Sequence, residues 1–178
     1  LIAVHVNEGI VLASDRRTTY TNTQTVKGKV IQRIGIHTTN STDKTFICPN
    51  KAGISTCGDG SLLGKPITGF IQEMIREKIC ADCEVANVPQ IIVDYFNELP
   101  QVPDTRFIVA GYDAVDFGKQ QLLYKVNVKS KKIEQIDTSA QGASWDGETF
   151  TLTRLVQNVA VKTNDGKYID LPFEDILW

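Results

Sequence analysis

Two histidines and four cysteines bound the chemistry open to this 178-residue chain. His5 lies within an apolar, β-branched run and His37 in a polar stretch, so both read as packing or surface residues and neither as a catalytic base. There is no GxSxG elbow, P-loop or GxGxxG, and Gly58-Asp59-Gly60 falls short of a phosphate-cradling loop. Cys80-Ala-Asp-Cys83 is a CxxC, but no second ligand pair follows at metal spacing. It also closes a helical pattern instead of opening one, and so lacks the electropositive helix N-terminus that lowers a thiol's pKa in redox pairs. All four cysteines are therefore expected as free thiols, with no metal and no small-molecule cofactor. A hydrolase without a usable His must find its base elsewhere. One source is the chain's own α-amine, whose unperturbed pKa of about 7.7–8.0 lies near working pH.

The elements that must position such a site can be read from apolar spacing. Leu1 to Val6 and Ile10 to Ser14 form a hairpin turning at Asn7-Glu8-Gly9. A polar loop runs to Thr25, a strand from Lys29 to about Ile36, and a polar turn from His37 to Lys44. Strands from Thr45 to Cys48 and from Ala52 to Cys57 follow. From Ser61 the period changes: Leu63, Ile67, Phe70, Ile71, Met74 and Ile75 mark one face of an amphipathic helix reaching about Ile79. Asn87 and Pro89 open a second helix that Pro100 ends. Strands return at Arg106 to Gly111, Gln120 to Val128 and Lys132 to Ile136, while residues 147–161 fit a strand and a helix equally. Without repeats, linkers or charge runs, residues 1–178 read as a single domain of two stacked antiparallel sheets with helices outside.

Three motifs in order carry a resemblance. The hairpin continuing as Gly9-Ile-Val-Leu-Ala-Ser-Asp15-Arg-Arg-Thr-Thr19, then Gln24-Thr-Val-Lys-Gly-Lys29-Val-Ile31, then Ile54-Ser-Thr-Cys-Gly-Asp59 before a long helix, resembles the proteasome β-subunit and HslV group of N-terminal-nucleophile hydrolases. The likeness covers about the first 80 residues. It implies an α+β fold, a four-layer αββα sandwich, and a threonine-type peptidase whose N-terminal Thr attacks the scissile carbonyl while its α-amine takes the proton. Position by position, Asp15 matches the acidic residue after the second strand and Lys29 the following lysine. Lys29 is preferred to Lys27 because Lys-Val-Ile continues the match. Arg17 and Thr19 match residues that shape the site and bind the substrate backbone, and Gly58 the glycine whose N–H faces the oxyanion. Thr18, Val26, Thr56 and Gly60 match the lining of a medium, uncharged side-chain pocket. The roles make physical sense: an ammonium beside the nucleophile favours proton loss from it, and a carboxylate must hold that ammonium. An opposite-charge pair at 4 Å is worth about 4 kcal/mol at an effective dielectric of 20.

Residue 1 is Leu, which has no nucleophilic atom, and the Asp15 register points to a Thr about two positions before it. The resemblance's late Gly-Ser-Gly turn has a loose counterpart in Ser139-Ala-Gln-Gly142-Ala-Ser144, its Arg-Asp pair has none, and a segment is expected after Trp178. The resemblance further implies a ring-forming homo-oligomer acting on unfolded peptide or protein, with a regulatory unfoldase as a further partner. A catalytically silent ring subunit, or an amidase acting on small amides, is the alternative. Nineteen Lys and Arg against twenty-one Asp and Glu give a net charge of −2, which argues against nucleic acid. No apolar run approaches a bilayer span and no secretion signal is evident, so the expected location is the cytoplasm and not a membrane.

Overall fold

The computed structural model describes residues 1–26, 29–147 and 160–170. The chain divides into two compact units, Leu1–Trp145 and Asp146–Trp178. In the first, β1 (Ile2–Val6) and β2 (Gly9–Ala13) form the expected hairpin, followed by β3 (Thr18–Val26), β4 (Lys29–Thr39), β5 (Thr45–Ile47) and β6 (Gly53–Gly58). Two very short strands, β7 (Ser61–Leu62) and β8 (Lys65–Pro66), precede α1 (Ile67–Lys78), and a 3-10 turn at Val85–Asn87 leads into α2 (Val88–Glu98). Then come β9 (Thr105–Val115), β10 (Gly118–Asn127), β11 (Lys132–Gln135) and β12 (Gly142–Trp145). The second unit carries a hairpin of β13 (Ala160–Lys162) and β14 (Tyr168–Asp170), closed by the Thr163 N–H donating to the Lys167 carbonyl at 2.8 Å.

Two sheets dominate the first unit: a five-stranded one in the order β11-β10-β9-β6-β5 and a three-stranded one in the order β12-β1-β2, every pair antiparallel. The alternation along β9 and β10 shows how they stack. Phe107 and Val109 on β9, with Leu122, Tyr124 and Val126 on β10, pack in one core with Ile67, Ile71 and Met74 of α1 and Ile92 and Phe96 of α2. The intervening Ile108, Ala110 and Leu123 face the other way, onto Ala3, Ile10 and Leu12 of the three-stranded sheet. Both faces of the central strands β9 and β10 are thus buried over much of their length, which is why they carry long apolar runs.

The four-layer αββα sandwich is not what forms. The described residues are mostly antiparallel sheet with two α-helices, and both helices share a core with the five-stranded sheet alone. On the three-stranded sheet Val4, Val6 and Val11 are 40%, 37% and 66% exposed, so no helical layer covers them among the described residues. Residues 148–159, within the stretch of ambiguous periodicity, lie outside the described residues. No helix among the described residues is long and apolar enough to cross a membrane.

Local departures have clear causes. Most of the stretch expected as a polar loop to Thr25 is strand β3, paired with β4; its threonines are β-branched and suit a strand, but a run so polar carries no apolar alternation in the sequence. The first helix begins at Ile67 and not at Ser61, because Leu63 and Gly64, at φ of 51° and 74°, make a tight turn between β7 and β8 and Pro66 stands at the N-cap. Cys80 and Cys83 are joined by a disulfide, against the expectation of free thiols. Cys48 and Cys57 carry no disulfide, and burial pushes the Cys48 thiol up to about 12.

Candidate active site

The β3–β4 ribbon leaves the body of the unit at Thr18 and returns at Thr39, where these two residues pair. Everything just before it is thereby brought against everything just after it. Ser14 Oγ lies 2.8 Å from Thr45 Oγ1, Asp15 Oδ1 2.9 Å from Lys44 Nζ, and Asp43 Oδ1 2.8 Å from an Arg16 amino group. The Thr42 N–H donates to the Arg16 carbonyl at 3.2 Å, and Arg17 Nε donates to Asn40 Oδ1 at 3.1 Å.

The ammonium beside Asp15 is therefore Lys44 and not Lys29. Lys29 pairs with Val26 at the other end of the ribbon, eight residues along β3 from Thr18, or roughly 27 Å at strand rise. The side chains of Lys29 and Val26 lie outside the described residues. Lys44 Nζ also donates to the Arg17 carbonyl, so two of its three N–H bonds are committed, and among the described residues nothing else takes the third. Its side chain is 18% exposed against 63% for Asp15. Burial alone would push the Asp15 carboxyl up, but the Lys44 hydrogen bond and charge and the Arg17 N–H at 3.2 Å outweigh it and hold the carboxyl below the usual aspartate range. With that much water around Asp15, the pair does more to orient Lys44 than to stabilise the fold.

Beside the pair opens a cleft of about 260 Å³. It gathers six of the residues singled out from sequence: Arg17, Thr18, Thr19, Thr56, Gly58 and Gly60, together with Lys44. Asp15 joins them through Lys44. Gly58 sits at φ 112°, and a Cβ there would stand 2.2 Å from the Asp104 carbonyl oxygen, so glycine alone fits both the backbone and the space. The Asp59 N–H donates to the Asp104 carbonyl at 3.1 Å and the Asp104 N–H to Asp59 Oδ2 at 2.7 Å, fixing the turn that carries Gly58. At Gly60 a Cβ would lie 2.8 Å from Thr18 Cγ2, so that glycine lets the buried Thr18 close one wall. The buried Thr56 is held at both ends, its N–H on the Lys44 carbonyl at 2.8 Å and its hydroxyl on the Arg106 carbonyl at 3.2 Å. Thr42, Asp43, Cys57, Asp59 and Thr68 also line the cleft and were not anticipated. The counterpart of the late Gly-Ser-Gly turn falls on β12, where Ser144 pairs with Ala3.

Lys44 was missed because the match was carried straight through Lys-Val-Ile. A signal was present: a long, threonine-rich excursion closing just before the strand that pairs with the Gly58-bearing strand. A hairpin adds residues to the sequence interval without adding distance between its ends. Comparison with protein families, curated proteins and solved structures found no match.

Proposed function

We propose that the chain is a hydrolase of peptide amide bonds, with an N-terminal threonine preceding Leu1 as nucleophile and Lys44, held by Asp15, as the group that tunes it. The observation that carries this reading is the Asp15–Lys44 contact at 2.9 Å beside a cleft that contains Gly58 and Thr19. Strand register adds support. Ile2 pairs with Ala13 on β2, so a residue two places before Leu1, continuing that register, falls across from Arg16, next to Asp15 and Lys44.

In this scheme the threonine hydroxyl attacks the scissile carbonyl and its proton passes to the free α-amine. The uncommitted Lys44 N–H favours the developing alkoxide, and backbone N–H at the Gly58 turn serves the oxyanion. The α-ammonium returns the proton to the leaving amine, giving an ester on the threonine that water then cleaves. Thr18, Thr42, Thr56 and Thr68 give the cleft small uncharged walls; Asp43 is engaged by Arg16 and Asp59 by the Asp104 N–H, in keeping with a medium, uncharged substrate side chain. The reading carries with it a closed ring of copies in the cytoplasm, receiving unfolded chains from an unfoldase.

N-terminal sequencing of the mature protein, with mapping of the adduct formed by a peptide β-lactone, tests it. The reading expects threonine two positions before Leu1 and the adduct on that residue. A mature protein beginning at Leu1, or an unmodified threonine with hydrolysis confined to small amides, overturns it in favour of a silent subunit or a small-amide enzyme respectively.

A further inference from the structure

Two hydroxyl contacts lie beside the charge pair, on residues that do not line the cleft. Thr45 Oγ1 stands 2.8 Å from Ser14 Oγ and 2.8 Å from Ser55 Oγ. Ser14 precedes Asp15 and Thr45 follows Lys44, so the hydroxyl contact and the ion pair join the same two backbone segments at consecutive positions. The two contacts therefore join the segments at two successive points, in the manner of a two-point clamp.

Ser55 anchors the clamp. It is fully buried in β6, on the strand that ends at Gly58, and its hydroxyl is satisfied by Thr45. A buried hydroxyl is costly to leave without a partner, so Ser55 ties Thr45 down. Thr45, with one O–H to give and lone pairs to accept, can serve both serines at once. Lys44 has no anchor of this kind. Its four-carbon stem is flexible, and its ammonium is held by a 63%-exposed carboxylate and a backbone carbonyl.

We propose that Thr45 is a positioning residue: bonded to Ser14 and to buried Ser55, its hydroxyl holds the Lys44 backbone against the segment that carries Asp15, and so fixes where the Lys44 ammonium lies relative to the cleft. Its catalytic consequence rests on the hydrolase reading above, whereas the geometric claim does not. Thr45→Val keeps the shape and β-propensity of the side chain and removes the hydroxyl; Thr45→Ser keeps the hydroxyl.

The test follows two readouts in the full-length protein: the titration of the Asp15 carboxyl by carbon NMR, and kcat and KM on a fluorogenic peptide. Thr45→Val is expected to move the Asp15 titration up toward the ordinary aspartate value by about half a pH unit and to lower kcat about tenfold at unchanged KM. Thr45→Ser is expected to restore both. Ser14→Ala leaves the buried Thr45–Ser55 bond in place, so if Thr45→Val fails to fold, Ser14→Ala carries the same expectation in the same direction. An Asp15 titration that stays where it is in folded Thr45→Val, or in Ser14→Ala, overturns the proposal. If wild type itself cleaves no peptide, the hydrolase reading falls while the Asp15 titration still decides whether Thr45 positions Lys44.

Discussion

Asp15 does two things at once: it accepts from the Lys44 ammonium and from the Arg17 N–H, and so fixes the entry to β3 as well as the charge beside the cleft. Its folded carboxyl titrates below the unfolded value of about 3.9. The stabilisation that follows is fully present above that pH and is lost as pH falls through the folded value. Urea unfolding of Asp15→Asn should therefore show a flatter dependence on pH than wild type below about pH 4; an identical acid limb would mean that the pair contributes nothing to folding. Gly58 makes a sharper demand, since its φ and the approach of the Asp104 carbonyl both exclude a Cβ. Gly58→Ala should cost about 3 kcal/mol in a urea melt, and a loss under about 0.5 kcal/mol, the level of an ordinary surface substitution, would show that the turn relaxes freely. Asp15, Arg17 and Gly58 were reached through the resemblance, whose motifs run without interruption through the strand ends that carry them. Lys44 was not, because its role depends on a closure that runs through the ribbon.

At the scale of elements, legibility followed burial. Strands β1, β2, β6, β9 and β10 and helix α2 were found because each presents an apolar face to one of the two cores, and β11, wholly exposed, because it returns from a polar turn as the arm of a hairpin. β3, a threonine-rich run with little apolar content, reads as loop, whereas β4 is found from Lys29 to about Ile36. Leu62, Ile79 and Val93 are 2%, 3% and 4% exposed and belong to the core between helices and sheet, with Ile91 partly buried against it. The connector between α1 and α2 is held by other means. Asn50 Nδ2 donates to the Cys83 carbonyl at 2.9 Å, the Val85 and Ala86 N–H groups donate to the Asp113 carboxylate at 2.7 and 3.0 Å, and the Cys80–Cys83 disulfide closes a four-residue loop. A loop so short removes little chain entropy, so Cys80→Ser with Cys83→Ser should lower stability by about 2 kcal/mol, read as a lowered Tm in non-reducing buffer. Equal Tm values for the variant and wild type would show that the bridge does not form in solution.

For the whole molecule, the first unit packs its helices and two antiparallel sheets together, and its cleft is lined by the start of β3, the segment before β5, the end of β6 with the turn after it, and the start of α1. The four-layer sandwich that the resemblance implies does not form: the described residues are mostly antiparallel sheet with two α-helices, both on the five-stranded sheet. The proposed compartmental protease implies a closed assembly, so light scattering behind size exclusion should report one species many times the 19.7 kDa of the chain that persists on dilution. A monomer at micromolar concentration would favour an enzyme of small amides. The central claim, that Lys44 on Asp15 is what makes this cleft reactive, is tested most directly by peptide turnover in the full-length protein carrying Lys44→Ala, measured beside Lys29→Ala. The account predicts a fall in kcat of about 100-fold or more for Lys44→Ala and turnover within about twofold of wild type for Lys29→Ala, with both proteins folded. Undiminished turnover in Lys44→Ala, or its loss in Lys29→Ala alone, would contradict it.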